Sequence, residues 1–434
     1  MSYEGAIAYL YSLQKYGMKF GLDNIGRLLS ALENPQESFH AIHVAGTNGK
    51  GSTSAMIESV LRTAEVTTGL FTSPHLVSFT ERIRVNGKEI SETDVVRLAD
   101  EVRSAAENIP GFLPTFFEVT TAMAFLYFRK MHVAWAVIEV GMGGRLDATN
   151  ILIPEASVIT AIDIDHSDFL GSTLSEISGE KAGIIKQGVP VITALQHPDA
   201  AAVLEIRAEE CGSELIAYGK DFSADITADE LVGIRINYHG EKEYSDLALQ
   251  FAGRHQALNA ALAVRTIEEV MKEYPKLKCD IRQGLRDARW PGRLEFVKDH
   301  PPVLIDGAHN PQAAAVLAAY LGKALGLYSR IILIMGMMND KDREGIMKPL
   351  LPLASEIIFT APAYGRAASP ETLAAEARGL GYLAQTAQTV PDALNLAERL
   401  YVQGDLIVVT GSFYTIGEVK EEFGQKGVLS RLRE

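Results

Sequence analysis

Cysteine is scarce: Cys211 and Cys279 are the only two in 434 residues. Two thiols build neither a disulfide framework nor a multi-cysteine zinc site. They fit a reducing compartment. Positive charge is in deficit, with 41 Lys plus Arg against 55 Asp plus Glu and a net charge of −14. A nucleic-acid binder needs a basic footprint, which this balance disfavours. Small anionic substrates stay open, because a local basic site can sit on an acidic surface. Long apolar runs are missing too. The longest, such as Ala313 to Gly322, fall short of the ~20 residues of a spanning helix. The N-terminal MSYEGAIAYLYSLQKYG has no basic n-region and no continuous apolar core, so no signal peptide is read and a cytoplasmic chain is expected. Its apolar spacing suits an amphipathic helix. What is present is ordinary globular material, 47% hydrophobic and 22% charged. At roughly 100–200 residues per domain, the length predicts two or three domains, able to bury a large core without staples.

Apolar strand-like runs alternate with helix-like stretches. FHAIHVAG, TTGLFTSP, VAWAVIEVG and ASVITAIDI are short and rich in Val, Ile, Thr or aromatics, as strands are. Met56, Ile57, Val60 and Leu61 fall on one helix face. FFEVTTAMAFLYF is apolar nearly all round, which predicts a buried helix. The alternation predicts an α/β fold with a mostly parallel sheet. From about Ala201 to Phe251 the pattern changes. LVGIRINY and EYSDLALQF flank HGEK and predict an antiparallel hairpin or small appended sheet. A helix is expected from His255 through Met271. DARWPGRLEFVKDHPP then gathers three prolines and a glycine, marking the expected interdomain connection. PVLIDG, RIILIMG, EIIFTAP and DLIVVTG come next as strand candidates of a smaller, Rossmann-like α/β domain. No GxGxxG follows any of them, so dinucleotide binding is not supported.

The strongest local signal is HVAGTNGKGST, His43 to Thr53. An apolar strand enters a loop with Gly46, Gly49 and Gly51, then Lys50, with Ser52 and Thr53 opening a helix. Glycines let backbone N–H groups close around phosphate oxygens. The helix N-terminus adds a favourable dipole and the lysine a point charge. The strict GxxxxGK[ST] pattern is not met: Val44 stands where the first glycine belongs, and Gly51 separates Lys50 from Ser52. A generic Gly-rich turn is the alternative.

Glu139 ends the run VAWAVIEV. A carboxylate at the carboxyl end of a buried strand, beside a phosphate loop, suits Mg²⁺; the alternative is a pair with Arg145. Asp163, Asp165 and His166 are either metal-capable side chains or a solvated acidic turn. Lys181 and Lys186, in ISGEKAGIIKQG, read on physics alone as surface lysines of a helix. LIDGAHNPQAA puts Asp306 at a strand end, then His309, Asn310, and Pro311 at a plausible first helical position. Nucleotide contact, acid–base work and an ordinary turn all fit that segment. Arg293, in WPGRLEF, either reaches a phosphate in an interdomain cleft or lies on the surface.

Taken in order, HVAGTNGKGST, TSPHL, TFFE, EVGMGGRLDATN, DHSDFLG, GEKAGIIK, GRHQALNAALA, WPGRLE, DGAHNP and GSFY resemble the Mur ligase superfamily of ATP-dependent amide-forming enzymes. Within it the chain resembles the folylpolyglutamate and dihydrofolate synthases. That family carries GTNGKG, so Gly51 is expected there. The resemblance implies a P-loop ATP-binding domain over residues 1–297, small antiparallel element included, and a Rossmann-like glutamate ligase domain over 298–434.

It implies that Gly49, Lys50, Gly51 and Ser52 hold the ATP phosphates. Asn259, Arg293 and Asp306 would contact ATP, with His309 near the nucleotide. Ser73, Glu139 and His166 would be magnesium ligands. Lys181 would be carbamylated, turning a cation into an anion that helps hold a second Mg²⁺. Lys50, Glu139, His166 and Lys181 form the implied catalytic set. Thr115, Phe117, Leu146, Asp147 and Ala148 would line the pterin side of a folate pocket, where Phe117 either stacks on the ring or fills core. The implied cofactors are ATP and Mg²⁺, two ions, with room for a monovalent cation. The implied partners are L-glutamate and a reduced folate or dihydropteroate, with no nucleic acid and no membrane. A monomer is expected, because both halves of the cleft lie in one chain.

The implied reaction passes through an acyl phosphate, which glutamate opens to an amide. Water would destroy that intermediate, so closure of two domains about a hinge near Trp290 to Arg293 is expected. A cell-wall peptide-adding ligase would need a nucleotide-sugar domain before the phosphate loop, and about 45 residues are too few for one. A P-loop ATPase switch would not need the second domain with DGAHNP.

Overall fold

The computed structural model describes residues 1–16 and 21–425. Gly17 of the expected N-terminal helix and residues 426–434 of the expected second domain lie outside them. The first half forms one sheet from β1 (His40–Ala45), β2 (Thr68–Phe71), β3 (Ile83–Val85), β4 (Lys88–Glu89), β5 (Trp135–Glu139), β6 (Ala156–Ile159), β7 (Val191–Thr193) and β8 (Leu215–Ala217). Their order is β4-β3-β2-β5-β1-β6-β7-β8. From β2 to β8 neighbours run parallel, while β3 and β4 turn antiparallel at one edge. β2, β5 and β6 are buried at every residue. Helices cover both faces of such a sheet, which is why these strands read as unbroken apolar runs. The helix Lys50–Arg62 buries Met56, Ile57, Val60 and Leu61 completely, the face expected of it. The helix Phe116–Lys130 is buried from Glu118 to Phe128, as its all-round apolar pattern predicts. At the N-terminus, Tyr3–Ser12 is helical and buries Ala6, Ile7 and Leu10.

The expected hairpin is β10 (Ile234–His239) with β11 (Glu243–Leu249), and β9 (Ser223–Asp229) adds a third antiparallel strand. This small sheet docks on the helix His255–Glu273, where the Tyr238 hydroxyl donates to Glu268 at 2.7 Å.

The last sheet comprises β12 (Glu295–Asp299), β13 (Pro302–Ile305), β14 (Arg330–Met335), β15 (Glu356–Phe359), β16 (Gln385–Thr386) and β17 (Asp405–Thr410), in the order β12-β13-β17-β14-β15-β16. The expected strands are β13, β14, β15 and β17, all parallel to their central neighbours. One expectation changes. DARWPGRLEFVKDHPP is not all connection, because its Glu295–Asp299 is the edge strand β12, antiparallel to β13. Of the prolines that suggested a linker, Pro291 stays in the crossing, while Pro301 sits at the hairpin turn and Pro302 starts β13, where proline costs a sheet nothing. The irregular crossing shrinks to 288–294, and residues 297 and 298 fall inside β12. Among the described residues no helix is long and apolar enough to cross a membrane, and both cysteines are free.

Candidate active site

The chain leaves β1 at Ala45 and turns into the helix Lys50–Arg62. Gly49 has φ +93°, and a Cβ there would stand 2.5 Å from Asn259 Oδ1. Only glycine permits that conformation and that approach together. Gly51 answers a different demand. A Cβ on it would stand 2.7 Å from Trp290 Nε1. The glycine that breaks the strict phosphate-loop pattern thus lets a junction tryptophan lie on the loop. Lys50 folds back, its Nζ donating to the carbonyls of Gly46 at 3.0 Å and Thr47 at 3.2 Å. Ser52 is buried. Gln256 Nε2 approaches Ser52 Oγ at 3.5 Å, and Asn259 Nδ2 donates to Gln256 Oε1 at 2.9 Å. The helix His255–Glu273 therefore lies against the loop and sets Asn259 beside Gly49.

Glu139 ends β5, next to β1 in the sheet. It is 4% exposed, and the Ser73 N–H donates to its Oε2 at 3.1 Å. Burial pushes its pKa up to about 7, against the opposing pull of Lys50, the Ser73 N–H, Arg293 and Arg82. Arg145 is not its partner, because that guanidinium pairs with Glu180 at 2.8 Å.

Lys181 is not a surface residue. It is 3% exposed, on the last turn of the helix Leu174–Ala182, and its Nζ donates to the Gly46 carbonyl at 3.0 Å. Gly144 makes the burial feasible: a Cβ there would stand 2.7 Å from the Glu180 carbonyl, so its absence lets the helix end close over GMGGR. Burial, with Lys50 adding to it, pushes the Lys181 pKa down to about 7. Lys186 lies beyond that helix, half-buried, donating to the Asn150 carbonyl at 2.8 Å.

Asp165 does not belong to a solvated turn. Among the described residues no three His, Cys, Asp or Glu side chains group to hold a metal ion. Asp165 instead bridges the two halves. Lys341 Nζ lies 2.6 Å from Oδ1, and His309 Nε2 and His166 Nε2 lie 3.7 and 3.8 Å from Oδ2. Burial alone would raise its pKa; the facing His309 and Lys341 side chains outweigh that and hold it well below the carboxylate range. Lys341, in MNDKDRE, sits in no motif, and nothing in the sequence marks it.

From the second half, Asp306 accepts the N–H groups of Leu294 at 3.0 Å and Ala308 at 2.9 Å. The Arg293 guanidinium lies over the Phe413 ring, 4.4 Å from its centroid. His309 Nδ1 pairs with the Gly307 carbonyl at 2.8 Å. Asn310 caps the helix Pro311–Ala324, with Pro311 in its first turn, and its amide donates to Asn48 Oδ1 at 3.0 Å. A cleft between the halves is lined by Gly51, Ser73, Glu139, Trp290, Arg293 and Phe413. These groups stand at the carboxyl ends of parallel strands, where open α/β sheets place their ligands.

The expected pterin side assembles on a neighbouring wall. Thr115 caps the helix Phe116–Lys130 in a reciprocal pair with Glu118. The Phe117 ring occupies the space a Cβ on Gly141 would need, 6.0 Å from the Phe71 ring. Asp147 is buried and accepts from the Met142 and Thr149 N–H groups, each at 3.0 Å, with half-buried Leu146 and buried Ala148 beside it.

A Mur ligase middle-domain family matches residues 44–267, and a Mur ligase glutamate ligase domain family matches residues 292–413. The dihydrofolate synthase/folylpolyglutamate synthase of Bacillus subtilis (strain 168) is 36% identical over 97% of this chain and 99% of its own length. The folylpolyglutamate synthase of Lacticaseibacillus casei is 37% identical over 97% of this chain and 98% of its own. The solved structure of Mycobacterium tuberculosis folylpolyglutamate synthase complexed with ADP superposes with a TM-score of 0.91 at 32% identity, covering 98% of this chain and 100% of that one. These matches run along nearly the whole length, and the chain belongs to the folylpolyglutamate/dihydrofolate synthase family of Mur ligases.

Proposed function

We propose that this protein is an ATP-dependent ligase that joins L-glutamate to a reduced folate. The observation that carries the reading is a cleft lined by Glu139 and Arg293 beside a phosphate loop whose Gly46 carbonyl accepts from both Lys50 and Lys181, in a chain matched over its length by folylpolyglutamate synthases. The proposed division of labour follows the two large sheets only roughly, because its boundary cuts β12. Residues 1–297 bind ATP and the folate; residues 298–434 bring glutamate and complete the nucleotide site.

In this reading the acceptor carboxylate attacks the γ-phosphate, and the glutamate amine then displaces phosphate from the acyl carbon. Both first reactants are anions, so their approach is opposed by Coulomb repulsion. Gly49, Gly51 and Ser52 offer backbone N–H groups at a helix N-terminus, and Lys50 a positive charge, to the phosphates. Arg293 adds a cation from the junction, while Asn259, Asp306 and His309 frame the nucleotide. Ser73, Glu139 and His166 would hold Mg²⁺, which supplies charge neutralisation when bound. The donor chemistry fits: a hydroxyl, a carboxylate and an imidazole leave most positions to water and phosphate oxygens, as this ion prefers. Lys181, with its pKa near 7, has a neutral amine available to take up CO₂ as a carbamate, giving an anion for a second ion. Thr115, Phe117, Leu146, Asp147 and Ala148 would hold the pterin.

A second reading, in which the enzyme also makes dihydrofolate from dihydropteroate, is favoured by the double name of the Bacillus subtilis relative. The test for both is purified protein with ATP, Mg²⁺ and glutamate, comparing reduced folates with dihydropteroate. Glutamate-dependent phosphate release is expected with a reduced folate. The absence of release with either acceptor overturns the assignment.

A further inference from the structure

Arg82 closes the short helix Phe79–Arg82 after the TSPHL loop and is 7% exposed. Its Nε donates to His75 Nδ1 at 2.6 Å, and its guanidinium lies 5.2 Å from the Phe116 ring centroid. With Nδ1 accepting, the His75 proton is on Nε2, which faces the Tyr11 hydroxyl at 3.1 Å. The imidazole is therefore a neutral prop and not a counter-ion.

The acidic groups that act on Arg82, Glu81 and Glu139, are committed elsewhere. Glu81 accepts the N–H groups of Leu76, Val77 and Ser78 at 2.8 to 2.9 Å. Glu139 accepts the Ser73 N–H. Among the described residues no carboxylate pairs with Arg82, and neither Nη group has an acceptor. Burial lowers its pKa, yet a guanidinium starts so high that it stays charged. Neither Nη is among the buried atoms without a partner, so the outer donors stand open to an incoming anion. The arrangement is selective as well. His75 holds the inner edge of the fork and Phe116 one face, leaving the outer pair of donors to match a planar carboxylate in two parallel bonds. Tyr414, from the helix Phe413–Glu422, is close enough to act on the same guanidinium, so a group bound there sits between the halves.

We propose that Arg82 is a substrate-binding residue whose outer fork takes a carboxylate, either that of free glutamate or the α-carboxylate of the terminal glutamyl group on the acceptor. The inference rests on the ligase reading above. Amide formation is measured for the wild type, Arg82→Lys and Arg82→Gln, with separate KM values for ATP, glutamate and acceptor. Both variants are expected to raise the KM of one carboxylate substrate at least ~10-fold while the KM for ATP moves by less than about twofold. Carboxamide analogues identify the source. Glutamate α-amide probes the free amino acid, and an acceptor whose terminal α-carboxylate is an amide probes the other arm. The relevant analogue should be a poor substrate for the wild type and lose no further rate in Arg82→Gln. A wild type that forms no amide overturns the ligase reading and this inference with it. An active wild type whose variants keep both KM values, or lose kcat alone, or lose the same factor with acid and amide substrates, overturns this inference only.

Discussion

Glu139 and Lys181 are both carried toward pH 7 from opposite sides, and for one reason. Each is a charged group buried away from water, which favours the neutral form of each. The signs then differ in consequence. Glu139 must lose its proton to take a cation, so Mg²⁺ affinity should fall as pH drops through about 7. Calorimetry at pH 6 should show proton release on binding, and at pH 8.5 little or none. Lys181 must be neutral to take up CO₂, so carbamate formation should rise as pH climbs through about 7. Activity should fall in CO₂-depleted buffer and return with bicarbonate, with a ¹³C-bicarbonate NMR signal that Lys181→Ala lacks. Lys50→Ala and Glu139→Ala should each cut turnover by ~10³-fold or more. The circular dichroism spectrum should be unchanged; near-normal rates in either variant would remove the phosphate and metal assignments.

At the scale of elements, periodic segments are the legible ones. Met56, Ile57, Val60 and Leu61 announce a helix face, and VAWAVIEV a buried strand, because burial selects residue types at fixed spacings. β9 is different. Its SADITAD is half polar and has no fully buried residue, so no pattern marks it. β12 hides behind prolines. Lys181 is hidden for another reason: its burial depends on the missing Cβ of Gly144, 37 residues away in the chain. Asp165, Lys341 and Arg82 gain meaning only from partners that the fold brings across 176 residues for the first pair and 7 for Arg82 with His75. Gly51 shows the gain in reading motif and packing together. Family pattern allows the glycine; the Trp290 ring explains it. Gly51→Ala should push Trp290 off the loop and raise the KM for ATP ~10-fold or more, a shift in a side-chain anchor that intrinsic tryptophan fluorescence can follow.

For the whole molecule, the two halves meet through side chains at loop tips and through an apolar seat, where Leu76 and Val77 are buried in one cluster with Val303, Ile305 and Ile416. Asp165 reaches Lys341 and His309, and Asn48 reaches Asn310. The polar contacts can be broken and remade cheaply, while the seat of Leu76 and Val77 must slide or part for the halves to move. The short crossing at 288–294 is the natural pivot. Small-angle scattering should therefore show a change in radius of gyration on adding an ATP analogue with folate. Curves that stay the same would mean rigid fusion and no closure about Trp290 to Arg293.

The order of strands along the chain carries a last consequence. β1 to β8 complete the first sheet by Ala217, and the second sheet begins only at Glu295. Among the described residues no strand of either sheet is borrowed from the other. During synthesis the nucleotide-binding half can thus emerge and fold before the residues that close it have been made. The ribosome's direction of travel lays down the phosphate loop first, so a nascent chain can have that loop and its sheet built while Arg293, Asp306 and His309 are still untranslated.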